Sequence, residues 1–157
     1  MELTINDYCR FKEASNVLYT QNTFDFDHPR CFIIFEMTVP TATLNSIKHL
    51  SINLQRELYD PERPDRTTRS LRHDEWPHMW DIIARMQGLE EIRVRFRFPV
   101  KGWLGWSEEE VLEPLWKFTR PMKVFEVNSR RASGFRDEET AERAPFKLLG
   151  APPKYQA

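Results

Sequence analysis

Apolar residues recur at set intervals in the stretch LNSIKHLSINL, where Leu44, Ile47, Leu50, Ile52 and Leu54 follow the order L-x-x-L-x-x-L-x-L-x-L. The first half suits one apolar turn. The second suits a short strand whose alternate side chains enter a core. A second copy begins at Met86, with Met86, Leu89, Ile92, Val94 and Phe96 in the same places. Phe24 with Phe26, and Phe125 with Val127, make two weaker copies. Stacked strands would place Phe24, Leu50, Ile92 and Phe125 in register, although the interval between copies is less even than in a regular array.

Other elements follow from the same periodicities. Ile5, Tyr8, Cys9, Phe11, Ala14, Val17 and Leu18 cover one broad face and predict a helix over 5–19, with Asn6 or Asp7 placed to cap it. Phe24 and Phe26 alternate with polar residues in a strand over 22–26. Asp27 is the expected N-cap of the next helix, with Pro29 in its first turn. That helix carries Phe32, Ile33, Phe35, Glu36 and Met37 and stops at Pro40. A strand over 47–54 follows. Residues 55–74 are polar, arginine-rich and broken by Pro61 and Pro64, which predicts a long surface loop. The clearest helix covers 75–87. Trp76, Trp80, Ile83 and Met86 stripe it, Met79 and Ala84 lie beside the stripe, and Gly88 is the expected C-terminal cap.

A strand over 89–98 comes next, then a turn region over 99–105. Ser107 and Glu110 form a capping box that opens another helix, which Pro114 should kink or divide. A strand over 122–127 is expected after it. Residues 128–143 are charged and aperiodic, the pattern of a loop or of disorder. The apolar piece 145–149 is suited to the sheet edge or to the end of the core, and the tail after it to a loose terminus.

Alternating helices and strands argue for a mostly parallel sheet. The repeat reading makes the fold α/β: a short, right-handed, leucine-rich-repeat-like solenoid of about four strands with helices on one side. Residues 1–128 then form one domain with the surface loop at 55–74. Residues 129–157 form a charged loop and C-terminal tail, partly packed at 145–149.

Composition narrows the function more than it defines it. Eleven Phe and 5 Trp can build a substantial core. Charged residues make up 30% of the chain, yet the formal net charge is -1, which argues against a general nucleic-acid binder. No apolar run is long enough to cross a bilayer. The opening MELTINDYCR lacks the basic and apolar regions of a secretory signal. Cys9 and Cys31 lack metal-site spacing and read as reduced core thiols of an intracellular protein, cytoplasmic or nuclear.

Candidate binding residues come from the strand positions between the core positions. In this register Asp25 and Asp27, Ser51 and Asn53, Arg93 and Arg95, and Glu126 and Asn128 share the concave face. Ser51, Asn53, Arg93, Arg95 and Glu126 are its centre. Arg97 would extend an arginine stripe suited to an acidic peptide or a phosphate. The plainer account is a solvated sheet face with cross-strand pairs such as Arg93 with Glu126. In HDEWPH, His73 precedes the helix and Pro77 separates it from His78, which fits a solvated helix start better than a metal site. His28 and His49 have no nucleophile close in sequence, so a hydrolase reading lacks its pair. Trp103 and Trp106 suit either a recognition patch or a cover for the core end. Arg130-Arg131-Ala132-Ser133 makes Ser133 a candidate phosphorylation site.

The stretches EASNVLYTQNTFDFDHP, LNSIKHLSINL, MWDIIARMQGLEEIRVRF and LEPLWKFTRPMKVFEV, within residues 13–128, resemble a fungal family of uncharacterised proteins. That family is described by a domain of unknown function and is related to F-box-associated, leucine-rich-repeat-like regions. The resemblance rests on scaffold residues and supplies no catalytic ones. Members usually carry more sequence before the first helix, in some an F-box-like segment, whereas this chain begins almost at that helix.

The expected function is a non-enzymatic protein-interaction module without cofactor or metal. It would bind a protein partner, and neither nucleic acid nor membrane. A substrate-receptor fragment related to F-box ubiquitin-ligase adaptors is the alternative that the resemblance implies. A hydrolase-type enzyme is the least supported.

Overall fold

A computed structural model of the chain describes residues 13–14, 17–54, 74–96, 108–129 and 143–150. In chain order the elements are β1 (Thr23–Phe26), α1 (Pro29–Thr38), α2 (Thr41–Leu44), β2 (His49–Leu54), α3 (Glu75–Arg85), β3 (Glu91–Phe96), α4 (Glu108–Trp116), β4 (Val124–Ser129) and β5 (Lys147–Gly150). Residues 17–21 are helical and lead into β1.

The five strands lie in the order β1-β2-β3-β4-β5, and each neighbouring pair is parallel. Parallel neighbours need a crossover, and right-handed crossovers that always step the same way fall on one face. Accordingly α1 packs on α3 and α3 on α4, side by side. All ten apolar positions of the two strong sequence copies are buried, from Ile47 at 0% exposure to Leu44 at 6%. Leu50 pairs with Phe24 on one side and Ile92 on the other, and Ile92 pairs with Phe125, as the repeat predicts.

The strand entries repeat as well. The Lys48 carbonyl accepts from the N–H groups of Glu90 and Glu91, both at 2.9 Å. The Glu90 carbonyl accepts from Lys123 at 3.0 Å and Val124 at 3.3 Å. Thus β3 and β4 are docked at their first residues by the same two-donor junction.

Aromatic side chains bind the layers together. Trp80 stacks on Phe125 with centroids 5.9 Å apart, and Trp76 meets the Phe96 ring at 5.8 Å. The buried Trp76 indole N–H donates to the Val111 carbonyl at 2.9 Å, tying α3 to α4. Trp116 is half-buried and packs edge-on to Phe146.

Several expectations change. The described residues form five strands, not about four, because the piece around Phe146 continues into β5 and pairs with β4. Buried Phe146 anchors that edge against Phe125 at 5.4 Å. His28, not Asp27, is the N-cap of α1, its Nδ1 accepting from the Arg30 N–H at 3.1 Å. Gly88 does not cap α3; Met86 is the C-cap. Ala84 is exposed, and buried Ile82 joins the apolar stripe. Pro114 does not divide α4, which runs through it to Trp116. Among the described residues, no helix is long and apolar enough to cross a membrane. Most of the expected helix over 5–19, the loop over 55–73, the turn region over 99–105, Ser107 of the capping box and the aperiodic segment over 130–142 lie outside the described residues.

Candidate functional site

Strand pleating sends alternate residues to opposite faces. One face of β2 and β3 is entirely buried. On the other, His49, Ser51, Asn53, Glu91 and Arg93 are half-buried and Arg95 is exposed. Register sorts this open face into rows across the strands. The middle row runs Asp25, Ser51, Arg93, Glu126, Lys147. The row nearest the strand ends runs Asn53, Arg95, Asn128, Leu149. The structure therefore brings Ser51, Asn53, Arg93, Arg95 and Glu126 together in two adjacent rows.

Charge is distributed unequally between them. Arg93 is satisfied within the sheet: its guanidinium lies 2.8 Å from Glu91 Oε2 and 3.6 Å from Glu126 Oε2. The expected Arg93–Glu126 pair is present, and half-exposed pairs of this type contribute only about 0–1 kcal/mol. His49 Nδ1 stands 3.5 Å from the same Glu91 oxygen. Asn53 Nδ2 donates to Asp25 Oδ1 at 2.5 Å and to Ser51 Oγ at 3.2 Å, holding β2 to β1. Its Oδ1 is buried without a hydrogen-bond partner among the described residues. Arg95 stands between Asn53 and Asn128 in register, and no carboxylate pairs with it among the described residues.

A second charged row sits at the strand entries. Glu90 lies between Lys48, at 3.0 Å, and Lys123, at 2.5 Å. Hydrogen bonds from Lys123 and then Lys48 hold the Glu90 carboxyl down to about 2, and Glu90 in turn raises the Lys123 ammonium. Reading the sequence for sites missed this row. Its signal is that each of the three residues immediately precedes the register position shared by His49, Glu91 and Val124. Arg120 was missed too. Its guanidinium donates to the carbonyls of Met86 and Leu89 and lies over the Phe118 ring at 5.4 Å, and burial pushes its pKa down. A basic residue serving the carbonyls at a helix C-terminus is a recurrent motif, but this one comes from 34 residues away.

The described histidines are dispersed. His28 caps α1, His49 faces Glu91, and His78 is exposed on α3. Ser51 Oγ is engaged by Asn53, while His49 Nδ1 lies against Glu91. Among the described residues no group of three or more His, Cys, Asp and Glu could hold a metal ion. Cys9, His73, Arg97, Trp103, Trp106 and Ser133 lie outside the described residues.

No curated protein matches the chain, and neither does any solved structure. A family model, described as a domain of unknown function, matches residues 2–138, a wider span than the stretches that carry the resemblance. The chain thus belongs to the DUF7730 family, a domain of unknown function.

Proposed function

We propose that this chain is a non-enzymatic protein-interaction module that docks another protein on its open strand face, with Ser51, Asn53, Arg93, Arg95 and Glu126 as contact residues. One observation carries the reading. These five occupy adjacent rows on the polar face of a parallel sheet whose other face is filled by core side chains. Side chains mounted on paired strands are held in place before a partner arrives, which lowers the entropy cost of binding.

The finer architecture belongs to the same proposal. A short leucine-rich-repeat-like solenoid would present this face as its concave side, the usual docking surface of such arrays. The repeated two-donor junctions at Lys48 and Glu90 support that reading. An intracellular setting, cytoplasmic or nuclear, accords with it.

The test is affinity capture from host cells with the wild-type chain and an Arg93→Glu/Arg95→Glu variant, with mass spectrometry of the retained proteins. Arg93→Glu sets a carboxylate beside Glu91 and Glu126, so Arg95→Glu alone is run in parallel and folding is checked by circular dichroism. A partner held by wild type and lost by folded variants supports the proposal. No partner for a folded wild type, or one held equally by all three, overturns it.

A further inference from the structure

The geometry points to a more specific partner: an extended acidic segment of another protein, whose Asp or Glu carboxylate pairs with Arg95 while its backbone meets Asn128. This inference rests on the interaction reading and names the chemistry of that same face.

The two arginines of the face differ in what they can still offer a ligand. Arg93 is already matched by Glu91 and Glu126. Arg95, two residues further along the same strand and on the same side, is exposed and has no carboxylate partner among the described residues. Its register neighbours are neutral amides rather than acids. The Asn53 amide nitrogen is committed to Asp25 and Ser51, and its oxygen is buried. Asn128 is half-buried, and its amide makes no hydrogen bond among the described residues. It can therefore offer one donor and one acceptor to a peptide unit.

Charge and shape select the ligand. A guanidinium takes a planar carboxylate through two parallel N–H donors. A phosphate dianion would call for a second uncommitted cation beside Arg95; among the described residues Arg93 is neutralised and Lys147 stands two strands away. The row from Asn53 through Arg95 to Asn128 crosses three strands, or about 10 Å, roughly three residues of extended chain. An acidic side chain and a neighbouring peptide unit fit within that span.

The experiment is an array of random dodecapeptides, with phosphoserine among the building blocks, probed with the purified full chain. Wild type, Arg95→Glu, Arg95→Lys, Asn128→Ala and Ser51→Trp are compared after circular dichroism shows each to be folded. The expected result is enrichment of Asp and Glu among peptides bound by wild type. That enrichment should be reversed toward Lys and Arg by Arg95→Glu and partly kept by Arg95→Lys. Asn128→Ala should weaken binding without altering the preference. For a representative peptide, Arg95→Glu should cost at least about tenfold in affinity. Retention of peptides without acidic enrichment, enrichment that survives Arg95→Glu, or preference for phosphoserine over carboxylates each overturns the acidic-segment inference. If Ser51→Trp abolishes binding in those cases, the interaction face itself stands. Peptide binding that neither Ser51→Trp nor Arg95→Glu changes, or no binding by wild type, overturns both.

Discussion

Gly88 lies directly against the carbonyl of Asn45: a Cβ at Gly88 would stand 1.9 Å from the Asn45 oxygen and 2.9 Å from its carbon. The loop that follows α3 is thereby seated on the loop that follows α2, and Asn45 Oδ1 accepts from the Gln87 N–H at 3.0 Å. Gly88 is needed for close approach, not to end a helix. Gly88→Ala must displace backbone and should destabilise the fold by about 2–4 kcal/mol, read as a lower urea midpoint. Asn45→Ala leaves the obstructing carbonyl in place, so it should not rescue Gly88→Ala. A Gly88→Ala chain as stable as wild type would show that the two loops are not in contact in solution.

Much of this fold was legible because an apolar alternation carries its own geometry. Leu50, Ile52 and Leu54 can share a face only in an extended segment, and so can Ile92, Val94 and Phe96, which pair with them one for one. Contacts chosen by three-dimensional approach left no such trace. Asn45 meets the 87–88 turn from 42 residues away, and Arg120 reaches Met86 across 34. The fifth strand was harder still, with four residues and a charged, aperiodic segment before it. As for the candidate site, alternation identified which residues share the open face. It also pointed to the Arg93–Glu126 pair, but not to Glu91, on the same strand as Arg93, as the nearer partner.

Glu90 makes stability depend on pH in a definite window. Lys123 and Lys48 hold its carboxyl at about 2 in the fold, against an ordinary 4.5. A depressed folded value contributes stability above pH 4.5 and loses it as pH falls toward 2. Lys123, raised above its ordinary 10.5 by Glu90, contributes below that pH and loses its share as pH rises through the folded value. The melting temperature of wild type should therefore fall more steeply than that of Glu90→Gln between pH 4.5 and 2. The two curves should converge at the acid end. Because the row is solvent-accessible, about 0.5 M salt should shrink the difference. Parallel curves across that range would show that the Lys48–Glu90–Lys123 row does not form in solution.

Arg120 joins the chain before β4 to the end of α3. Its guanidinium serves the carbonyls of Met86 and Leu89, the latter at 3.2 Å, and rests on Phe118. Arg120→Leu preserves apolar contact but removes these donors, and should cost about 1–3 kcal/mol with an unchanged urea slope. Arg120→Lys keeps the charge without the planar fork that reaches both carbonyls, so it should recover less than half of that loss. Full recovery by lysine would mean that charge, rather than the paired donors, is what this position supplies.

Trp76 and Trp80 are neighbours on α3 with rings 5.6 Å apart, yet their indole N–H groups have opposite circumstances. That of Trp76 donates to Val111, while that of Trp80 is buried without a partner among the described residues. Replacing either by Phe removes a similar volume from a packed core and leaves a similar void. The polar contribution then decides the ranking. Trp76→Phe forfeits a buried hydrogen bond, worth about 1 kcal/mol, and loosens the tie between α3 and α4. Trp80→Phe deletes a donor whose burial is uncompensated, which offsets part of the cavity cost. Urea unfolding should therefore show Trp76→Phe to be the more damaging by about 1 kcal/mol or more. Equal losses, or the reverse order, would mean that the Trp80 N–H is satisfied in solution and that the indole bond to Val111 does not hold these helices together.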